Sequence, residues 1–233
     1  MYRHFAAKNY PMVTGCCQGS NLDGLISGHA YSLLDVKDLK DASGTVVHTI
    51  AKVRNPWATE RYYGKWSDDD SSWTDDFKKQ VDYVNADDGA FWMPFDKFMT
   101  SFFGVGVAFY EPYKGYSVEK LLLKEQNTYI TFENPTDQML YITLEHYSPR
   151  NLPRSCQDDT EHAWAYMYNS DYQQIGKMSN GYTGTEGFAT FGDWTGKVPK
   201  GKYTIYAYNY NANVPLDATL HVYASEEAPK MNY

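Results

Sequence analysis

The chain has 233 residues and a formal net charge of −8, and it contains 22 tyrosines and 6 tryptophans. This length accommodates one large or two smaller domains with buried cores. The acidic balance, without a cluster of Lys or Arg, argues against nucleic acid as a partner. No stretch reaches the ~18 apolar residues of a membrane-spanning helix, so we expect no transmembrane segment. The many aromatic and β-branched residues favour strands.

The three cysteines are Cys16, Cys17 and Cys156. An odd number with an adjacent pair makes a poor disulfide framework. The N-terminal residues also lack the apolar segment of a secretory signal. We therefore expect a reducing, cytoplasmic setting. Nothing around Cys16 or Cys17 predicts a helix N-terminus that would activate a thiol, so we interpret both as buried structural residues.

Strand and helix signals alternate through the first part of the chain. A strand is predicted over 28–36, and the alternating, β-branched run TVVHTIAKVR at 45–54 predicts its antiparallel partner. Two short helices follow, one over 74–83 and one that begins at Pro94. A strand over 105–110 closes this first unit.

The residue pattern of the sequence changes after a predicted linker at 111–120. Short aromatic and β-branched runs such as TYITFENP and KYTIYAYNY are separated by turn residues, which is typical of an antiparallel β-sandwich. The sequence therefore predicts a mainly β (α+β) protein with two domains, 1–110 and 121–228. The tyrosine-rich strands suit a sugar-stacking or peptide-binding face, but ordinary packing of a sandwich also explains them, and we adopt that interpretation.

Two motifs in the first domain point to chemistry. His29 lies in G-H-A-Y, and Asn55 lies in R-N-P-W. A histidine and an asparagine on neighbouring strands suit a Cys-His-Asn catalytic centre. In such a centre the imidazole takes a proton from a thiol, and the amide holds the ring in the useful tautomer.

These motifs, together with G-K-W-S-D at 64–68 and D-G-A-F-W-M at 88–93, give the chain a resemblance to the calpain family of intracellular, papain-like cysteine proteases. The resemblance implies that 1–110 is the second, His/Asn-bearing subdomain of the protease core. It implies that 121–228 is the C2-like β-sandwich of the family. Carried over by position, His29 is the catalytic histidine, Asn55 its orienting asparagine, and Trp57 the residue that shields this pair from water.

The resemblance also defines what departs from the family. The nucleophilic cysteine of calpains belongs to a helical half of the core that precedes G-H-A-Y, and we expect this chain to lack it. The first acid position of the family's calcium site is Arg61, and the last is Ala90, which leaves Asp68 and Asp88. Ca²⁺ takes roughly six to eight oxygen ligands. We therefore expect no cofactor, with a weak calcium site as the alternative.

Three functions remain open at this point. The first, which we favour, is a non-catalytic structural or adaptor module in a cytoplasmic assembly, associated with the cytoskeleton or a cilium. The second is one half of a split or truncated calpain-type endopeptidase whose cysteine-bearing half is supplied elsewhere. The third is a C2-like binding module. Each of them implies a protein partner.

Overall fold

The structure, a computed structural model, divides the chain into two compact units, Met1–Tyr110 and Glu111–Tyr233. Both are built mostly from antiparallel strands, which confirms the predicted mainly β fold class. The residues that the structure describes are 1–17, 22–108, 112–123, 128–146, 153–156, 163–180, 185–189, 197–209 and 216–232. Within these ranges, every helix is too short or too polar to cross a membrane.

The first unit contains one five-stranded antiparallel sheet with strand order β4-β3-β2-β1-β5. Its elements are α1 (Tyr2–Ala7), β1 (Met12–Cys16), β2 (His29–Lys40), β3 (Val46–Arg54), α2 (Asp75–Lys78), β4 (Ala90–Pro94), α3 (Phe95–Ser101) and β5 (Phe102–Val107).

Each face of this sheet carries an apolar cluster. Successive side chains of a strand point to opposite faces, so Phe91 and Met93 of β4 join one apolar cluster and Trp92 joins another. The first cluster includes residues of helices α1 and α3. The second is closed by Trp66 and Trp73. The chain between β3 and β4 therefore supplies a wall of the core, although it is largely irregular.

Several predicted boundaries in this unit were wrong. Strand β2 does not end at 36 but continues to Lys40, because Leu39 is fully buried and continues the alternation opposite His48. The helix predicted over 74–83 is limited to Asp75–Lys78, which contains no buried residue. Its predicted N-cap is confirmed, since the Thr74 side chain accepts a hydrogen bond from the Phe77 amide at 3.2 Å.

The second unit consists of two antiparallel sheets with strand orders β10-β9-β12-β7-β14 and β11-β8-β13-β6. Its strands are β6 (Gly115–Leu123), β7 (Thr128–Asn134), β8 (Leu140–His146), β9 (Ala163–Tyr168), β10 (Gln174–Asn180), β11 (Thr185–Ala189), β12 (Gly201–Asn209), β13 (Leu216–Ala224) and β14 (Lys230–Asn232). A short 3₁₀ helix lies at Arg154–Cys156. Residues of both sheets share one apolar cluster, so the sheets enclose a common core.

The segment predicted as a linker needs correction. Residues 115–120 form the first part of β6, which pairs with β13 along its whole length. The pairing is stable because Leu123 and Leu220 of these two strands are fully buried in the common core. The C2-like character of the second unit stays a prediction.

Candidate active site

The motif residues of the first unit meet at one end of its sheet. Strand β2 begins at His29, and the antiparallel strand β3 ends at Arg54, immediately before Asn55. Because neighbouring strands run in opposite directions, the start of one lies beside the end of the next. Two residues that are 26 positions apart in the chain are thereby brought into contact.

A hydrogen bond joins the two side chains directly. His29 Nε2 lies 2.9 Å from Asn55 Oδ1. Asn55 is buried, with 1% of its surface exposed. A hydrogen bond in such a dry environment is stronger than one that competes with water.

The orientation of the Asn55 amide follows from its other partners. The Trp57 amide donates to Oδ1 at 3.1 Å, and Nδ2 donates to the Thr59 carbonyl at 3.2 Å. Oδ1 therefore faces donors on two sides, so His29 Nε2 must carry the hydrogen. This leaves the Nδ1 atom of a neutral His29 as the proton acceptor.

The backbone around Asn55 is held by a tight turn and a glycine. The Ala58 amide donates to the Asn55 carbonyl at 3.1 Å, which closes a β-turn with Pro56 in its second position, where proline is favoured. The Asn55 amide donates to the Gly89 carbonyl at 2.8 Å. Gly89 has a φ of +83°, and a Cβ there would lie 2.6 Å from the Asn55 carbonyl oxygen. Only glycine fits this position.

Trp57 contacts the histidine with one face of its ring. The ring centroids of Trp57 and His29 are 4.2 Å apart at an interplanar angle of 40°. Trp57 is nevertheless 56% exposed, so its other face is open to solvent. Tyr31 also meets His29 edge-on, with ring centroids 5.0 Å apart. The imidazole thus contacts two aromatic rings.

Comparison with known proteins finds a family similarity in this part of the chain. The model of the calpain family of cysteine proteases matches residues 6–108. The predicted resemblance is confirmed for this range.

Individual calpains are also similar to part of this chain. The calpain-type cysteine protease ADL1 of Oryza sativa is 33% identical over 122 residues, which are 49% of this chain and 5% of that protein. Calpain clp-4 of Caenorhabditis elegans is 38% identical over 84 residues, 34% of this chain and 12% of that protein. The calpain-1 catalytic subunit of Homo sapiens is 40% identical over 80 residues, 34% of this chain and 11% of that protein. The chain therefore spans a small part of the length of each relative.

Among solved structures, the pre-peptidase C-terminal domain of a collagenase from Bacillus anthracis matches 49% of this chain and 99% of its own length. The sequence identity is 14% and the TM-score is 0.33. This likeness is too weak to carry an argument.

The cysteines near the calpain motif are not placed as exposed nucleophiles. Cys16 is the direct neighbour of His29 in the β1–β2 ladder, but it is only 1% exposed. Cys17 is also buried. A thiol that reacts with substrate needs both access and a stabilised thiolate. Their role as buried structural residues stays a prediction.

The calcium positions of the calpain family contain residues that already bond to the protein. The buried Asp68 carboxylate accepts a hydrogen bond from the Ala86 amide at 3.0 Å, and Asp88 accepts one from the Ala90 amide at 2.8 Å. Within the described part of the chain, no three His, Cys, Asp or Glu side chains are grouped to hold a metal ion. Arg61 is exposed. These residues do not fit a tight Ca²⁺ site, whose absence stays a prediction.

Three contributors to this region escaped the sequence analysis. The Thr59 carbonyl orients the Asn55 amide, and Gly89 admits the close approach of the Asn55 backbone. The third is Glu60. Burial, followed by the negative charge of Asp68, raises the pKa of Glu60 to about 7. By position in the motif, the first acid of the calpain calcium site falls on Arg61, one residue further on.

Proposed function

We propose that the first unit works as the histidine–asparagine half of a calpain-type cysteine endopeptidase centre, together with a thiol from outside its own residues. The observation that supports this best is the 2.9 Å bond between His29 Nε2 and Asn55 Oδ1, with the amide fixed on both sides. A histidine with a purely structural role would not need an orienting amide whose oxygen and nitrogen are both hydrogen-bonded.

The chemistry follows from which nitrogen is engaged. With Nε2 bonded to Asn55, Nδ1 of His29 accepts the proton of an approaching thiol and leaves a thiolate for attack on a peptide carbonyl. Asn55 Oδ1 stabilises the imidazolium that forms. His29 then returns the proton to the leaving amine. Trp57 keeps water from the His–Asn bond on the face that it covers.

The test uses the full chain together with the polypeptides that accompany it in the cells that produce it. Such a complex should hydrolyse a fluorogenic peptide and react with a thiol-directed epoxide probe. Changing His29→Ala should lower the rate of hydrolysis by about 10³-fold or more, and Asn55→Ala by roughly 10²-fold. The matched control is Cys16→Ser, which should leave the rate unchanged because Cys16 is buried.

A second candidate is the non-catalytic structural or adaptor module, in the cytoplasm and associated with the cytoskeleton or a cilium. The observation in its favour is that Cys16 is buried, although it is the cysteine placed directly beside His29 in the sheet. In this case a native mass spectrum of the isolated protein shows the 26.7 kDa chain alone or with partners that carry no reactive thiol. Absence of probe labelling in every complex would then contradict the protease proposal.

The third candidate, a C2-like binding module, concerns the second unit. Its support is the two-sheet architecture around one core. Under this proposal, partner binding depends on the second unit and is retained when His29 and Asn55 are replaced.

A further inference from the structure

The outer face of one sheet in the second unit carries a row of tyrosines. Tyr206 of β12 lies directly opposite Tyr129 of β7 and Tyr166 of β9. Its ring centroid is 5.2 Å from that of Tyr129 and 6.1 Å from that of Tyr166. Tyr129 is 66% exposed. The row therefore runs across three strands on the side that faces away from the core.

The neighbouring row has short threonine side chains on two of its three strands. Two positions along each strand, Thr204 of β12 is opposite Thr131 of β7 and Tyr168 of β9. The step from the tall tyrosines to the short Thr204 leaves a depression of about 570 Å³. Its lining residues define the tyrosine groove: Tyr129, Tyr168, Tyr172, Thr204 and Tyr206.

Tyr172 reaches this groove from the turn between β9 and β10, and its backbone is strained. Its φ is +60°, a conformation that bulky residues rarely adopt and that Gly or Asn adopts readily. The turn is held by Asn169, whose Oδ1 accepts from the amides of Asp171 and Gln173. Tyr172 is nevertheless 88% exposed, so no burial of its ring compensates for the strain. Such strain at an exposed aromatic residue points to a binding role.

The tyrosine groove offers only a few kinds of chemical group to a ligand. It offers aromatic faces and hydroxyl groups, and its described lining residues include no carboxylate, amide or basic side chain. Among the described residues, the hydroxyls of Tyr129, Tyr168 and Tyr172 have no hydrogen-bond partner. A ligand for this surface needs apolar rings to pack on the tyrosines and carbonyl oxygens to accept from their hydroxyls.

A polyproline II helix presents both of these features. Its proline rings are apolar, and its carbonyls point outward because the helix has no internal hydrogen bonds. It repeats every three residues, roughly 9 Å, which is close to the ~9.6 Å between strands β7 and β9 on either side of β12. We propose that the tyrosine groove binds a proline-rich peptide in the polyproline II conformation.

The inclination of the rings favours this ligand over a saccharide. The planes of Tyr129 and Tyr206 differ by 51°, and those of Tyr166 and Tyr206 by 32°. Tilted rings form ridges that fit between prolines, as in other aromatic grooves that bind such peptides. A pyranose ring instead stacks on a flat surface and needs planar polar side chains around it, and none is found among the described residues that line the groove.

The experiment titrates a fluorescently labelled decaproline peptide with the full chain and follows fluorescence anisotropy. We expect saturable binding with a Kd on the order of 0.1 mM. Tyr172→Asn should weaken binding about tenfold. The same change should keep or raise the thermal midpoint, because asparagine relieves the strained turn. Lost affinity in a chain of undiminished stability separates a binding role from a structural one.

Two controls complete the test. Tyr116→Asn makes the same change on an exposed strand of the other sheet and should leave the affinity unchanged. A Gly-Ser peptide of equal length should not bind. The proposal is overturned if decaproline does not bind, if Tyr172→Asn binds it as tightly as the unchanged chain, or if maltohexaose binds in its place.

Discussion

The two units use antiparallel sheets in opposite ways. In the second unit, strand β12 alternates strictly, with Tyr203, Ile205 and Ala207 buried in the shared core and Thr204 and Tyr206 on the outer face. Its surface features follow directly from a period of two residues. The first unit also has a sheet, but its candidate active site is not on a face. It lies at the strand ends, where His29 and Asn55 depend on turns.

This difference separates two kinds of sequence information. A groove on a sheet face is specified by which side chains alternate, and it tolerates small changes in the turns. A site at strand ends is specified by backbone contacts such as that between Asn55 and Gly89. Mutations can therefore test whether the stability of the second unit depends on side-chain volume, and that of the first unit on backbone geometry.

The largest effect is expected from a core deletion in the second unit. Phe132 is fully buried, whereas Tyr129 on the same strand is 66% exposed. Phe132→Ala should lower the free energy of unfolding of this unit by about 3–5 kcal/mol. Tyr129→Ala should change it by less than about 1 kcal/mol. Hydrogen exchange, resolved by peptide, measures both units in one chain; equal losses for the two variants would show that the outer tyrosines are structural.

The second effect concerns the backbone of the first unit. Gly89→Ala adds a methyl group against the Asn55 carbonyl at a positive φ, and should cost about 3 kcal/mol or more. Gly44→Ala is the matched control, since its φ is +84° but no atom lies within 4 Å of the added carbon. It should cost only about 1 kcal/mol.

Thermal unfolding measures both glycine variants. The NMR signals of the His29 ring show whether its bond to Asn55 persists. We expect Gly89→Ala to disturb these signals and Gly44→Ala to leave them unchanged. If both variants were destabilised equally, the positive φ alone, and not the contact with Asn55, would be the reason that position 89 requires glycine.

The distinction between side-chain pattern and backbone contacts also explains which features could be predicted from the sequence. The pairing of His29 with Asn55 was predictable because both lie in recognisable motifs next to strand signals. The mainly β class was predictable from the alternating runs of the second unit. The length of β2 was underestimated because charged residues in KDLKD conceal Leu39, whose burial depends on Trp66 and Trp73 from the distant loop between β3 and β4.

The polar contacts of the site were harder to predict. Thr59 acts through its carbonyl, which carries no side-chain signal. Glu60 contacts Asp68 because the turn after Asn55 directs it there, so a positional comparison alone assigned that role to Arg61. In the same way, nothing in the sequence indicates that Tyr172 adopts a positive φ. Such features depend on the backbone conformation of turns, which the periodicity of apolar residues in the sequence does not determine.

The smallest effect is a pH dependence in the stability of the first unit. The folded state raises the pKa of Glu60 to about 7, through burial and then through the charge of Asp68. The pKa of Asp68 is raised as well, also mainly by burial. Folding therefore favours the protonated carboxyl of Glu60. Its contribution to stability is complete below the ordinary pKa of a glutamate and is lost as the pH rises through about 7.

Glu60→Gln should flatten this dependence in part, since Asp68 remains. Because Glu60 is half-buried and screened by solvent, the change between pH 5 and pH 8 should be on the order of 1 kcal/mol. Asp41→Asn is the control: the hydrogen bond from Ser43 lowers the pKa of Asp41, so its contribution is lost only as the pH falls below the ordinary pKa of an aspartate, and this variant should keep the slope between pH 5 and pH 8. The measurement is the thermal midpoint of each variant across this range. If Glu60→Gln kept the slope of the unchanged chain, the loop between β3 and β4 would not carry the acid pair that distinguishes the first unit from the second.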